Sequence, residues 1–193
     1  DPEKLPGQQE LKIRHIGEAG KKMVYVTIGG GSQLIGESFI NLVLEMFRLM
    51  PDTQGVISTG LFEDAVGYNP PDNVLIRGFV PGTEMIKACD VLVFHGGSST
   101  LMTCLACGKP AVVVPSIGEQ EDNGAVLAKN GAGIVLDKNT VTTAALVEAV
   151  QQIFNNSEFK NNAGQLKKMC ENYGGAAAAA TMVEELISGG VTP

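Results

Sequence analysis

Six short apolar runs, rich in β-branched residues, recur along the chain: MVYVTI (23–28), GVIST (55–59), NVLIRG (73–78), VLVFH (91–95), AVVVP (111–115) and AGIVL (132–136). Each is apolar enough to read as a strand covered on both faces rather than one with a wet side. Longer segments with helical periodicity lie near 33–49, 83–88, 99–107, 120–130 and 142–154, and two more near 157–172 and 176–188 close the chain. Alternation of this kind folds as βαβ units, whose right-handed crossovers build a parallel sheet with helices on both faces. The predicted class is α/β, a doubly wound Rossmann-like parallel sheet of about six strands, with ligands expected at the carboxyl ends of the strands where the winding reverses.

Punctuation agrees with this division. Pro51 follows the first helical segment, Gly108 and Pro110 follow the third, and Thr140 or Thr142 caps the fifth. The alanines of GGAAAAA (174–180) suit a helix more than a linker.

With 193 residues, 44% of them hydrophobic and 18% charged, the chain can bury one real core. Residues 21–193 are expected to form a single domain, and the polar, Pro- and Gly-containing stretch 1–20 to be the remnant of an interdomain linker. The net charge of −7 disfavours a nucleic-acid partner, so any anionic ligand must be held by local dipoles. The sequence shows neither an apolar run of the ~18 residues that mark a membrane span nor a basic-then-apolar leader. Cys89, Cys104, Cys107 and Cys170 show no disulfide framework, and a reducing cytoplasm is the expected location. Cys104 and Cys107 fall inside the third helical segment and read as small core residues rather than a zinc or redox pair.

The chemistry concentrates after three strands. HGGSST (95–100) leaves the fourth strand without a break. A helix N-terminus carries unpaired amides and about half a positive charge. Gly96 and Gly97 clear the approach to those amides, while Ser98, Ser99 and Thr100 add hydroxyl donors beside His95. This is an anion site, or else a capped helix next to a satisfied core histidine. After the first strand, TIGGGSQLIG (27–36) breaks the dinucleotide fingerprint, because Leu34 stands where a glycine is required; a dehydrogenase is therefore set aside. What remains is either a flexible turn, with Gly30 and Gly31 admitting an anion and Ser32 as cap, or a close strand-helix turn. After the fifth strand, Glu119 and Gln120 in the strand-to-helix turn suit vicinal sugar hydroxyls, or form a capping cluster with Asp122.

From about Met23 to Leu136 the chain resembles the donor-binding C-terminal half of GT-B glycosyltransferases, especially the family 1 type that includes macrolide and antibiotic enzymes. VYVTIGGGS, RGFVPGTEMIKACDVLVFHGG and GKPAVVVPSIGEQEDNGAVLAKNGAGIVL are similar to consecutive blocks of that half, in its order and spacing. The resemblance implies an inverting hexosyltransferase using a UDP- or dTDP-sugar, with no cofactor and, in the absence of an Asp-x-Asp pair, no metal. It implies a pyrophosphate role for His95, Gly97, Ser99 and Thr100, a part for Gly30, Gly31 and Ser32 near the phosphates, and donor-sugar contacts from Glu119 and Gln120. Phe79 and Val80 would flank the base.

Two departures bear on the nucleotide. Thr103 stands where enzymes using UDP-sugars place a ribose-binding glutamate, and Gly82 where a glutamine is common, which points to a deoxythymidine diphosphate donor. The resemblance further implies that the acceptor site and general base belong to an N-terminal half, in the same or a separate chain, through which a small-molecule, lipid or glycan acceptor would enter. His15 reads as a surface histidine rather than that base. Donor binding without turnover is expected of this chain alone. An apolar face between 157 and 188, uncovered in the absence of that half, would drive homodimerisation. A noncatalytic or partner-dependent subunit of a split glycosyltransferase is the competing reading, and a nucleotide-sugar epimerase of the same architecture a third.

Overall fold

The computed structural model describes residues 20–28, 37–60 and 67–188. All six strand segments form: β1 (Lys22–Thr27), β2 (Thr53–Ser58), β3 (Val74–Arg77), β4 (Val91–Phe94), β5 (Ala111–Val113) and β6 (Gly133–Val135). They make one parallel sheet in the order β3-β2-β1-β4-β5-β6. The winding therefore reverses between β1 and β4, where Thr27 is the register partner of Phe94.

Among the described residues there are seven helices: α1 (Glu37–Leu49), α2 (Gly82–Ala88), α3 (Ser98–Cys107), α4 (Gly118–Lys129), α5 (Thr143–Asn155), α6 (Ser157–Glu171) and α7 (Gly175–Ser188). The apolar strands divide their side chains between two cores, because successive residues of a strand point to opposite faces. Val24, Val26, Val91, Val93, Val112 and Val114 meet α1 and α5 on one face. Met23, Tyr25, Leu92, Phe94, Ala111 and Val113 meet α2, α3, α4 and α6 on the other.

Close approaches need glycine in places. A Cβ on Gly55 of β2 would lie 2.5 Å from the Phe47 ring, so the fully buried Phe47 reaches the sheet through that gap. The turn joining α1 to β2 is held by the Asn73 amide, whose Nδ2 lies 3.2, 3.1 and 2.7 Å from the carbonyls of Phe47, Met50 and Thr53.

Helix ends follow the sequence signals in part. Thr142, rather than Thr140, caps α5, accepting from the Ala145 amide at 3.2 Å, and Gly108 ends α3 in the left-handed conformation at φ 64°. The segment predicted from 33 is described only from Glu37. The expected apolar face over 157–188 is confined: α6 buries Ala163 against α3, whereas α7 buries no residue. Met182, Val183, Leu186 and Ile187 are exposed and form a stripe along α7. Among the described residues, no helix is long and apolar enough to cross a membrane.

Candidate functional site

At the reversal point β4 delivers His95 directly onto the start of α3. Gly96 has φ +92°, and a Cβ there would lie 2.7 Å from the Gln120 carbonyl oxygen, so both conformation and space require glycine. Gly97 has an ordinary φ of −62° and is the N-cap of α3. Its constraint is different: a Cβ would lie 2.5 Å from His95 Nε2, so the imidazole edge rests against the backbone that opens the helix.

No side chain caps α3. The first amides of such a helix need an outside partner. Ser98 and Ser99 are exposed there, with Thr100 half-buried.

His95 is itself incompletely served. Among the described residues its buried Nδ1 finds no hydrogen bond of good geometry, and its ring meets Phe94 edge-on at 6.3 Å between centroids. Burial pushes the imidazole below its ordinary pKa, with the Thr27 backbone and the Glu119 carboxylate opposing. The neutral form is thus favoured, and a negative charge placed nearby would favour the cation.

The β5–α4 connection forms the opposite wall. Glu119 and Gln120, expected in the strand-to-helix turn, lie instead in the first turn of α4, which starts at Gly118 with Ile117 as N-cap. The two side chains part company. Glu119 is exposed, and its Oε1 accepts from the Ser98 hydroxyl and, at 3.0 Å, from Asn123 Nδ2. Gln120 is buried, and its Oε1 accepts from the Ser116 amide at 2.8 Å, closing the loop on itself. Lys138 Nζ donates to the Ser116 carbonyl at 2.7 Å and braces the same loop. The capping cluster foreseen with Asp122 forms with Asn123 and Ser98 instead.

On the other flank, Val80 is buried in the same core as Phe94 and Leu101, leaving the adjacent Phe79 about three-quarters exposed at 74%. Thr103, on α3, donates its hydroxyl to the Ser99 carbonyl at 3.0 Å. Gly82 begins α2 with only the Tyr25 hydroxyl near a would-be Cβ, at 3.9 Å, so no close contact demands glycine there. Gly30, Gly31, Ser32 and His15 lie outside the described residues.

All four cysteines are free. Burial pushes the Cys89 and Cys104 thiols up to about 12, which makes them inert packing groups. Sequence reading missed Asn123, Ser116 and Lys138; an acidic helix start followed by asparagine is the only local sign of the first.

The erythromycin biosynthesis protein CIII-like C-terminal domain family matches residues 62–186. The NDP-glycosyltransferase YjiC of Bacillus subtilis strain 168 is 32% identical over 190 residues, covering 98% of this chain and 48% of that protein. Among solved structures, the glycosyltransferase of kitacinnamycin superposes with a TM-score of 0.79 at 27% identity over 87% of this chain and 44% of its own. The glycosyltransferase SsfS6 of Streptomyces sp. SF2575, solved with thymidine diphosphate, gives 0.63 at 28% identity over 80% of this chain and 38% of its own. The chain spans a third to a half of the length of the curated relatives it matches, 33% to 48%.

Proposed function

Because the chain belongs to the erythromycin biosynthesis protein CIII-like C-terminal domain family, we propose that it is the donor-binding half of an inverting glycosyltransferase that takes a hexose from a UDP- or dTDP-sugar. The observation that carries this reading is His95. Among the described residues its buried Nδ1 lacks a well-formed hydrogen bond, and its other edge lies on the glycine that opens a helix without a side-chain cap. Buried polar groups without partners are uncommon in folded proteins, and a bound diphosphate would relieve this one.

In the proposed reaction an acceptor hydroxyl attacks the anomeric carbon while the bond from that carbon to the diphosphate oxygen breaks. The diphosphate leaves with the electron pair, and the acceptor proton passes to a base in the acceptor-binding half. Charge grows on the leaving oxygens, facing the α3 amides, the hydroxyls of Ser99 and Thr100, and His95, while the Ser98 hydroxyl, committed to Glu119, lines the same turn. Fixed dipoles aimed at developing charge need no reorganisation during the reaction. Gly30, Gly31 and Ser32 would close the phosphate site from β1. Glu119 would accept from sugar hydroxyls. Gln120, turned into its own loop, would serve the sugar chiefly by holding that carboxylate's helix in place.

Phe79 offers an exposed ring for a base, beside the Val80 backbone. The Thr103 hydroxyl is engaged by its own helix, and Gly82 has no side chain. Neither takes the place of a ribose-binding carboxylate or amide, which favours deoxythymidine diphosphate. The relative solved with thymidine diphosphate accords with this choice. The leaving-group charge is assigned to these dipoles rather than to a metal ion, and four free thiols accord with a cytoplasmic location.

Isothermal titration with UDP and dTDP, each with and without glucose attached, tests the assignment. Either diphosphate should bind well ahead of its nucleoside, with dTDP preferred. Absence of binding by folded protein would favour the alternative of a noncatalytic or partner-dependent subunit.

A further inference from the structure

The geometry points to Asn123 as a positioning residue that locks the diphosphate-facing turn to the sugar-facing carboxylate, an inference that rests on the donor-site reading above. Glu119 and Asn123 stand one turn apart on the same face of α4. The neighbouring face, carrying Gln120 and Gly124, is pressed to the sheet. A Cβ on Gly124 would lie 3.0 Å from Val135 Cγ2 and 3.2 Å from Val113 Cγ1, while one on Gly96 would lie 2.7 Å from the Gln120 carbonyl. These two glycines bring α4 close enough for Asn123 to cross to the turn after β4.

Its Nδ2 lies 2.7 Å from the Gly96 carbonyl, 3.2 Å from Ser98 Oγ and 3.0 Å from Glu119 Oε1. An amide nitrogen carries two protons for these three acceptors. The Ser98 hydroxyl donates its own proton to Glu119 Oε1, so the amide protons are best spent on the Gly96 carbonyl and the carboxylate. The peptide joining Gly96 to Gly97 is planar, so holding its oxygen fixes the direction of the Gly97 N–H, one of the amides proposed to face phosphate. The same side chain holds Oε1 of the carboxylate and presents Oε2 for a sugar hydroxyl. One residue that touches neither ligand group thus sets the distance between the two subsites.

The test is titration of the 193-residue chain and its N123A and N123D variants with UDP, dTDP and the glucose conjugate of each, after melting curves confirm folding. Asn123→Asp keeps the volume but cannot donate when ionised, so it serves if the alanine variant does not fold. The expected result is a loss of about tenfold for the nucleotide-glucose and a smaller loss for the bare diphosphate. In the double variant E119A/N123A the sugar-dependent loss should not exceed that of E119A alone, because both act through one carboxylate. Equal losses for both ligands, or unchanged affinity in a variant with a lowered melting temperature, would reduce Asn123 to a structural role and overturn the inference. A wild-type chain that binds none of the nucleotides overturns the donor-site reading itself, a result distinct from wild-type binding that N123A leaves intact.

Discussion

The two adjacent glycines of the turn after β4 are constrained for different reasons, and substitution should separate them. Gly96→Ala forces an L-residue to φ +92° and drives a methyl into the Gln120 carbonyl, so a loss of stability of about 1–3 kcal/mol is expected in chemical denaturation. Gly97→Ala keeps a permitted backbone and displaces only the His95 ring, so it should cost little stability while weakening diphosphate binding. His95 adds a pH signature. Burial lowers its pKa below the ordinary 6.5, so the fold gives up this contribution to stability as pH drops through 6.5 towards the lowered value. A diphosphate beside the ring raises the pKa again, so binding should take up a proton and tighten as pH falls from above the bound-state pKa. Titration in buffers of different ionisation enthalpy measures that uptake, and His95→Ala should abolish the part that is not the nucleotide's own. The same variant should weaken the diphosphate by about tenfold while sparing the nucleoside.

Among the elements, strands were the most legible part of the sequence, because burial on both faces makes them continuous apolar runs. Helix starts were less so at the site itself. Gly97 and Ile117 are the N-caps of α3 and α4, and neither residue carries a capping side chain. The absent cap that leaves amides open to a ligand also removes the signal of where the helix begins. This is why Glu119 and Gln120 were expected in a turn. The division of labour between them was equally unreadable, since adjacent helical residues face different ways and only the packing of α4 on β5 turns Gln120 inward. Asn123 is hard to read for a related reason: beside its local partner Glu119, the partners that make it a bridge are Gly96 and Ser98, more than twenty residues away. Packing of the elements gives its own prediction. Gly55→Ala places a methyl 2.5 Å from the fully buried Phe47 ring, in a strand held on both sides by β1 and β3. It should destabilise the fold by about 1–3 kcal/mol, as overpacking does, with the loss visible as a lower urea midpoint and unchanged slope.

On the scale of the whole molecule, the described sheet and its helices can account for holding a nucleotide-sugar but not for choosing what receives the sugar. With a net charge of −7, attraction for a diphosphate must come from the α3 terminus and its neighbours rather than from the overall field, so affinity should depend only weakly on salt. The chain spans a third to a half of the length of its curated relatives, and α7 presents the stripe of Met182, Val183, Leu186 and Ile187 to solvent. An exposed apolar stripe of this kind marks an interaction surface. If donor binding and acceptor activation reside in separate halves, the 193-residue chain should bind nucleotide-sugar at concentrations where it neither transfers nor hydrolyses it. Chromatography of dTDP-glucose and UDP-glucose incubated with the chain and a panel of small-molecule hydroxyl acceptors would reveal any glycoside or released diphosphate. Product above the protein-free background would place a working base within this chain and refute the division. With no product formed, a charge introduced into the α7 stripe, as in Leu186→Glu, should leave nucleotide affinity unchanged while dispersing any dimer seen by light scattering, because that stripe and the donor site lie on different elements.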